Sequence, residues 1–265
     1  MFSLARSARL AAWGTAALRG TLTVRDAVRA VTGDDEPHTV ESGAGAPDAL
    51  PPGAGLDTLL TLLAGLGVRG LRVVLPVPGD LLGLPGPGPF NAAALESGEC
   101  VLTEPLRDGT GWGLVPQVTG FGSQWEPGVL VSWRVSAVPA RRVTDVGSLA
   151  EAERELREAM RTATEALAGL EVGRWREDAA GRIAALRSGG LPAGALPPST
   201  PARSAGVLAT ALRVAAIVDL AGEDDGGAVT AHEAGARRQA LRGLDAVTRR
   251  ALTAAVNALL EPPRG

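Results

Sequence analysis

The stretch LRVVLPV, residues 71–77, decides the fold class of this chain. It is apolar at nearly every position, which is typical of a strand covered on both faces. The apolar spacing predicts a helix over residues 56–66 before it, and a further helix begins near Asn91 after it. We therefore expect this strand to lie centrally in a sheet that is backed by helices.

Three more strands follow in quick succession, over residues 100–104, 113–118 and 129–138. Asp108 and Gly109, between the first two, form a turn signal that is typical of a hairpin. In the third strand one set of alternate positions is apolar and the other is largely polar, which predicts one buried and one partly solvated face. Strands that alternate with helices and end in such a meander predict a mixed sheet.

The residues before this sheet predict two short helices and a long loop. Leu10 and Trp13 follow helical spacing in the first helix, and Thr23 is placed to cap the second. Residues 34–55 hold four glycines and four prolines. We therefore expect a loop there, with one short strand over residues 38–41.

From Ser148 to the end, the pattern predicts helices. Ser148 begins a capping-box pattern in front of a long amphipathic helix. A second helix is expected over residues 172–186, and a linker rich in proline and glycine follows over residues 188–202. An almost wholly apolar helix over residues 203–220 and a last helix over residues 231–260 complete a helical bundle.

Together these elements predict an α+β protein. A mixed β-sheet with flanking helices forms the N-terminal half, and a C-terminal helical bundle follows it. We place the sheet region at residues 1–140 and the helical region at residues 145–265, with the linker inside the helical part. The last helix carries an apolar arc wider than a bundle of four helices would cover, so we expect the two regions to pack together.

The composition excludes most common enzyme classes. All 26 basic residues are arginine, so no lysine is present for Schiff-base chemistry or for a P-loop, and there is no tyrosine. Cys100 is the only cysteine, which excludes an intramolecular disulfide and favours a buried apolar role. The abundance of alanine, glycine, arginine, leucine and proline is typical of a GC-rich genome.

Charge is distributed unevenly along the chain. Residues 1–33 carry a net charge of +4, residues 34–140 carry −8 and residues 141–265 carry +1, for a total of −3. The acidic middle region disfavours binding to nucleic acid, which requires a basic face. The arginine-bearing N-terminal helix could dock on this acidic region or lie on an anionic membrane surface.

The apolar segments are too short to predict a membrane protein. No segment reaches the roughly 20 uninterrupted apolar residues of a membrane span. Arg6, Arg9 and Arg19 interrupt any signal-peptide core. We therefore expect a cytoplasmic protein without a membrane span.

The loop over residues 79–91 is the predicted surface for a ligand or partner. It connects the apolar strand to a helix, at a position where open α/β sheets bind ligands. Four residues are the candidates for binding: Asp80, Gly86, Gly88 and Asn91. The glycines permit close backbone approach, and Asn91 is placed to cap the helix. A rigid structural loop is the interpretation that the pattern favours over this one, because its prolines remove backbone donors.

Two clusters combine acidic residues with the two histidines of the chain. Four residues are the candidate metal ligands: Asp35, His38, Asp225 and His232. Solvated loop acids explain both clusters as well. Thr230 and Glu233 also match a capping box, which places His232 in the first turn of the last helix. A shared metal site is therefore the alternative, and we predict no metal or other cofactor.

Gly65, Gly67 and Gly70 match the dinucleotide-binding fingerprint in spacing. That motif needs a strand before it and a helix after it, so that the helix N-terminus faces the pyrophosphate. Here a helix leads in and a strand leads out. The spacing therefore predicts a helix end and a turn.

Depletion of catalytic residue types favours a non-enzymatic binding or regulatory protein, whose partner is a protein or a small ligand that the sequence does not specify. The alternative is a carboxylate- or metal-dependent hydrolase that uses His38, His232 and neighbouring acids. No nucleic-acid partner is expected, and the pattern does not specify the oligomeric state.

Overall fold

The structure is a computed structural model that describes residues 4–106, 109–123, 126–139, 147–169, 191, 194–222 and 230–261. The chain divides into two compact units. The sheet unit comprises Leu4–Val146, Ala193–Thr200 and Leu259–Gly265, and the helical unit comprises Gly147–Pro192 and Pro201–Ala258. Within the predicted linker over residues 188–202, residues 194–200 group with the sheet unit, whereas the other described residues, 191, 201 and 202, group with the helical unit.

Five strands form one mixed sheet in the described part of the chain: β1 (Thr39–Ser42), β2 (Leu71–Val74), β3 (Cys100–Thr103), β4 (Trp112–Gly122) and β5 (Pro127–Ala137). Their order across the sheet is β1-β5-β4-β3-β2. β1 runs parallel to β5, and the other neighbouring pairs are antiparallel. With the helices that follow, this sheet confirms the predicted α+β class and the hairpin between β3 and β4.

Four helices flank the sheet: α1 (Arg6–Leu18), α2 (Val24–Thr32), α3 (Leu56–Gly65) and α4 (Pro89–Ser97). α1 packs on β2 and β3, and it also contacts α2 and α3. Thr23 caps α2 by accepting the backbone N–H of Asp26, as predicted. Gly67 follows α3 with φ +89°, which confirms a helix end and a turn at the glycine motif.

α4 covers the sheet face opposite to α1. Gly14 of α1 lies against the Leu71 side chain, whereas Val74, on the other face of β2, belongs to an apolar cluster with Leu84 and Cys100. The Phe90 ring of α4 packs against the same cluster and lies over Gly113. A Cβ at residue 113 would lie 2.3 Å from that ring, so glycine is needed there for α4 to approach the sheet.

β2 comes from the apolar stretch 71–77, but it is an edge strand. The prediction of a central position is therefore wrong. The strand is nevertheless covered on both faces, because α1 packs on one of them and the Leu84 cluster on the other. Leu71, Val73 and Val74 are consequently at most 4% exposed. Coverage by helices and a loop gives this edge strand the composition of a central one.

The helical unit contains three helices in its described residues: α5 (Leu149–Gly169), α6 (Ala202–Gly222) and α7 (Ala231–Asn257). α7 packs against both α5 and α6, and the 3-10 turn Ala258–Leu260 follows it. The predicted helix over residues 172–186 lies outside the described residues. Reciprocal hydrogen bonds join Ser148 to Glu151, at 2.8 and 3.3 Å, and Thr230 to Glu233, at 3.0 and 3.2 Å. Both predicted capping boxes are therefore confirmed.

α6 is long and apolar enough, by length and composition, to cross a membrane, and it is the one such helix among the described residues. Arg213 and Asp219 lie within it. About 39% of its most apolar segment is buried inside the structure, and core helices of soluble proteins meet the same criterion. The expected absence of a membrane span stays a prediction.

Candidate functional site

His38 lies at the centre of a buried polar cluster in the sheet unit. It directly precedes β1, and its side chain is 0% exposed. The indole N–H of Trp133 on β5 donates to His38 Nδ1 at 3.1 Å, and His38 Nε2 lies 3.4 Å from Asp35 Oδ2. Because an indole N–H can only donate, Nδ1 carries a lone pair and the ring proton is on Nε2, facing Asp35.

Asp35 connects this histidine to α1. The Arg6 guanidinium donates to both oxygens of Asp35, at 2.8 and 3.0 Å. Burial alone would raise the pKa of Asp35, but the Arg6 guanidinium and the His38 ring hold that pKa below its usual value. The hydrogen bond to Asp35 in turn raises the pKa of Arg6.

Glu99 completes the polar cluster between β3 and α1. The backbone N–H of Ser7 donates to Glu99 Oε2 at 2.7 Å. Burial raises the pKa of Glu99, although this hydrogen bond and the charges of Arg6 and Arg9 oppose the shift. The cluster therefore joins α1, β1, β3 and β5 through side chains that face inward.

This geometry bears on the candidate metal ligands and on the hydrolase alternative. The structure brings Asp35 and His38 together, but both ring nitrogens of His38 are engaged within the protein. His232 is exposed in the first turn of α7, and Asp225 lies outside the described residues. Among the residues that the structure describes, no three His, Cys, Asp or Glu side chains are placed to hold a metal ion. A buried imidazole without a free nitrogen cannot take a proton from a substrate.

The loop over residues 79–91 contributes to the core as well as to the surface. Leu84 is 7% exposed within the apolar cluster, whereas Leu81 and Leu82 are 51% and 40% exposed. Val77 and Asp80 exchange backbone hydrogen bonds, at 3.1 and 2.9 Å, and Asp80 Oδ1 accepts the Leu82 N–H at 3.4 Å. The loop is therefore held in place by backbone hydrogen bonds between its own residues and by the packing of Leu84 in the apolar cluster.

The other candidate residues of this loop lie at the start of α4. Gly86 and Gly88 have φ values of +136° and +154°, which side chains rarely adopt. Gly88 is the N-cap of α4, with Pro89 in the first turn. The prediction that Asn91 caps this helix is therefore wrong, because the proline begins the helix two residues earlier. Asn91 Oδ1 is instead buried without a hydrogen-bond partner among the described residues.

The surface that sequence reasoning missed is the distal half of the β4–β5 hairpin. β3 pairs with β4 at Gly113 and Leu114, and β1 pairs with residues 132–135 of β5. Residues 117–122 and 127–131 therefore continue beyond both neighbouring strands as a two-stranded ribbon. We call these two segments the ribbon.

The ribbon carries exposed apolar side chains. Val118, Phe121 and Leu130 are 48%, 46% and 49% exposed. Thr119 pairs with Leu130 and Phe121 pairs with Gly128, so Phe121 and Leu130 lie on one face. The Phe121 ring lies over Gly128, where a Cβ would have to displace it. This face is an exposed apolar patch on an extended strand pair.

The edges of the ribbon differ in what covers them. On the β5 side, the Glu36 N–H donates to the carbonyl oxygen of Val129 at 3.0 Å. On the β4 side, Ser97 Oγ donates to the carbonyl oxygen of Pro116 at 3.0 Å, and the pairing with β3 ends before that point. Among the residues that the structure describes, the β4 edge over residues 117–122 is therefore the longer open edge of the ribbon.

The ribbon also lacks charge. Residues 109–125 and 127–133 contain no Asp, Glu, Lys or Arg, so Glu126 is the one charged residue between residues 109 and 133. Natural sheets protect their edge strands with charged side chains, prolines or bulges. This uncharged run was the signal in the sequence that could have identified the ribbon. The two described tryptophans of β4 and β5, Trp112 and Trp133, are buried.

The helical unit has an open groove of about 1080 Å³ between α5 and α7. Leu244 and Val247 lie in it, and several arginines line it. Arg161 already pairs with Glu165 at 2.7 Å and also with Glu158, so much of this charge is neutralised within α5. The groove is therefore less suited to a charged ligand than its arginines suggest.

Fold and site together define an α+β protein with an internal polar cluster and an open, uncharged β-ribbon. The family model described as "Rv1486c-like protein, N-terminal domain" matches residues 7–146, and the one described as "Rv1486c-like protein, C-terminal domain" matches residues 150–253. The chain belongs to the Rv1486c-like protein family.

Similar proteins come from mycobacteria. The uncharacterized protein Rv1486c of Mycobacterium tuberculosis is 32% identical over an alignment of 283 residues, which covers 96% of each chain. An uncharacterized protein of Mycobacterium leprae is 33% identical over 204 residues, which cover 72% of this chain and 68% of its own. No solved structure matches the chain.

Proposed function

We propose that the protein is a non-enzymatic binding protein whose ribbon accepts an extended, uncharged segment of a protein partner. The segment adds as a strand along the β4 edge over residues 117–122. The single observation that carries this proposal is the open, uncharged ribbon with its exposed Val118, Phe121 and Leu130.

Strand addition fits both the backbone and the side chains of the ribbon. An open edge offers main-chain hydrogen bonds, which supply affinity, while neighbouring side chains select alternate residues of the added strand. Phe121 and Leu130 form an apolar surface on one face beside that edge. With no charge on the ribbon apart from the turn, a charged segment would find no ionic partner. We therefore expect an uncharged, β-branched or aromatic segment.

The hydrolase alternative has less support. His38 has both ring nitrogens engaged, and burial raises the pKa of the Cys100 thiol far above its ordinary value, so that this thiol is not a nucleophile at neutral pH. Two groups of the sheet unit that could do proton or nucleophilic chemistry, the His38 ring and the Cys100 thiol, are thus paired or enclosed.

Peptide selection tests this proposal. A displayed library of random linear peptides is selected on the purified full chain, and the affinity of each selected peptide is measured by fluorescence anisotropy. We expect uncharged peptides rich in valine, isoleucine, threonine and aromatic residues.

Charge substitutions then locate the binding surface. Thr119→Lys and Leu130→Glu each place a charge on the ribbon and should weaken binding at least about tenfold, which corresponds to about 1.4 kcal/mol. Leu81→Glu is the matched control, because Leu81 is 51% exposed and lies outside the ribbon. Peptides that bind both ribbon variants as well as the wild type would contradict the proposal, and so would a failure to select any peptide.

A further inference from the structure

We propose that the contact between His38 and Trp133 is an acid-operated latch that holds β1 on the sheet. The latch is closed when the His38 ring is neutral and opens when the ring takes up a proton. This device is independent of the proposed binding activity, because it concerns the strand on the other side of β5 and needs no partner.

His38 joins three separate parts of the sheet unit. It directly precedes β1 in the chain, its Nδ1 contacts Trp133 of β5, and its Nε2 faces Asp35, which pairs with Arg6 of α1. β1 has only four residues and pairs in parallel with residues 132–135 of β5. Such a short edge strand depends strongly on the contacts at its start.

A second proton on the ring is incompatible with this geometry. The added hydrogen would be on Nδ1, where the indole N–H of Trp133 already points from 3.1 Å. Two donors would then face each other, and a charged ring would lie in a fully enclosed position. The His38–Trp133 hydrogen bond must therefore break before the charged ring can be solvated.

The charges around the ring do not remove this conflict. Asp35 favours the charged ring, but it already accepts two hydrogen bonds from Arg6. Arg6 and Arg9 are positive and disfavour a charged ring. Burial has the largest effect, and the pKa of His38 lies below its usual value as a result.

The direction of the pH effect follows from this shift. When the latch is open, the solvated ring takes up a proton near the usual histidine pKa of about 6.5. When it is closed, the ring resists the proton to lower pH. The closed state therefore has its full stability above about pH 6.5. Below that pH, the ratio of closed to open molecules falls by at most about tenfold per pH unit. Asp35 stays ionised in this range because its pKa is lowered.

Opening would expose new sheet edge. β5 residues 132–135 lose their pairing with β1 when it detaches, which extends the open edge beyond Val129. Thr39 and Val40 also lose their backbone contacts with Gly55 and Ala54. The amides of β1 and β5 therefore report directly on the latch.

Nuclear magnetic resonance on the full chain, without peptide, tests the latch between pH 7.5 and pH 5. The two histidines and the Trp133 indole N–H are followed by ¹⁵N labelling, and amide exchange of β1 is corrected for its intrinsic pH dependence. We expect a neutral Nε2–H ring for His38 at pH 7.5. Below about pH 6.5, exchange of β1 should rise by up to about tenfold per pH unit, and the Trp133 indole signal should shift with it.

The variants separate His38 from other groups. His38→Gln cannot titrate but can still accept the indole N–H, so its β1 exchange should show no pH dependence. His232→Gln is the matched control, because His232 is exposed on α7, and it should behave as the wild type. The proposal of a latch is wrong if β1 amide exchange depends on pH in the same way in the wild type and in His38→Gln. It is equally wrong if His38 in the wild type titrates while the Trp133 indole signal and β1 exchange stay constant, a result that does not depend on any variant.

Discussion

Thr15 of α1 takes the place of a neighbouring strand at the outer edge of β2. Its hydroxyl accepts the backbone N–H of Leu71 at 3.0 Å and donates to the carbonyl oxygen of the same residue at 3.3 Å. At Leu71 the outer edge of the sheet is therefore closed by a buried side chain. The β4 edge over residues 117–122 has no comparable cover among the hydrogen bonds of the described residues. This contrast supports the proposal that the ribbon, and not the β2 edge, accepts an added strand.

Thr15→Val should destabilise the sheet unit. Valine keeps the shape of threonine but leaves the backbone groups of Leu71 without partners in a buried position, which costs about 1–3 kcal/mol. Thr61→Val is the control, since Thr61 is exposed on α3 and bonds only to its own helix at Asp57. Urea unfolding should show a clear loss of unfolding free energy for Thr15→Val and a loss of less than about 0.5 kcal/mol for Thr61→Val. Equal effects would argue against the edge role of Thr15.

Gly113→Ala should displace Phe90 and weaken the packing of α4. The new Cβ would meet the ring at 2.3 Å, and overpacking of this kind costs about 1–3 kcal/mol. Gly120→Ala, in the same strand, is the matched control because no atom lies within 4 Å of the new Cβ. Thermal unfolding should separate the two variants. A stable Gly113→Ala protein with an unchanged Phe90 environment would contradict this packing.

Thr230→Ala should remove the N-terminal cap of α7. The loss of the hydrogen bond to the Glu233 N–H should cost about 1 kcal/mol and leave peptide binding by the ribbon unchanged. Ser148→Ala at the start of α5 should cost a similar amount for the same reason. A loss of peptide affinity at an unchanged melting temperature would instead indicate a functional site at the start of α7.

Glu99→Gln should change how stability depends on pH. Burial raises the pKa of Glu99, so the folded protein holds this proton more tightly than the unfolded chain does. The stabilisation of the folded state by this bound proton is full at low pH. It is lost as the pH rises from about 4.5 through the raised pKa of Glu99. The variant should therefore gain stability relative to wild type as the pH rises. Glu96→Gln, at an exposed position of α4, is the matched control for the loss of a carboxylate charge.

Local signals predicted most of the elements but not their arrangement. Thr23, Ser148 and Thr230 mark helix starts through contacts within three residues, so the sequence alone identifies them. The edge position of β2 and the parallel pairing of β1 with β5 depend on contacts between distant residues. Apolar composition cannot distinguish coverage by strands from coverage by helices.

In the candidate sites, too, the sequence predicts contacts between near neighbours but not contacts between distant residues. Asp35 and His38 are three residues apart, so their proximity could be expected. Trp133 is 95 residues from His38, and this distant contact decides that the histidine is enclosed and not free to act as a ligand. The ribbon was missed because strand signals indicate where a strand lies and not where its neighbours end.

Amide hydrogen exchange with a selected peptide bound is the most direct test of strand addition to the ribbon. Saturating peptide should slow exchange specifically within residues 117–122, because outward-facing N–H groups of β4 become hydrogen-bonded to the added strand. Residues 132–135 of β5, already paired with β1, should show no change. Protection elsewhere, with residues 117–122 exchanging as in the free protein, would contradict the proposal that the β4 edge is the binding site.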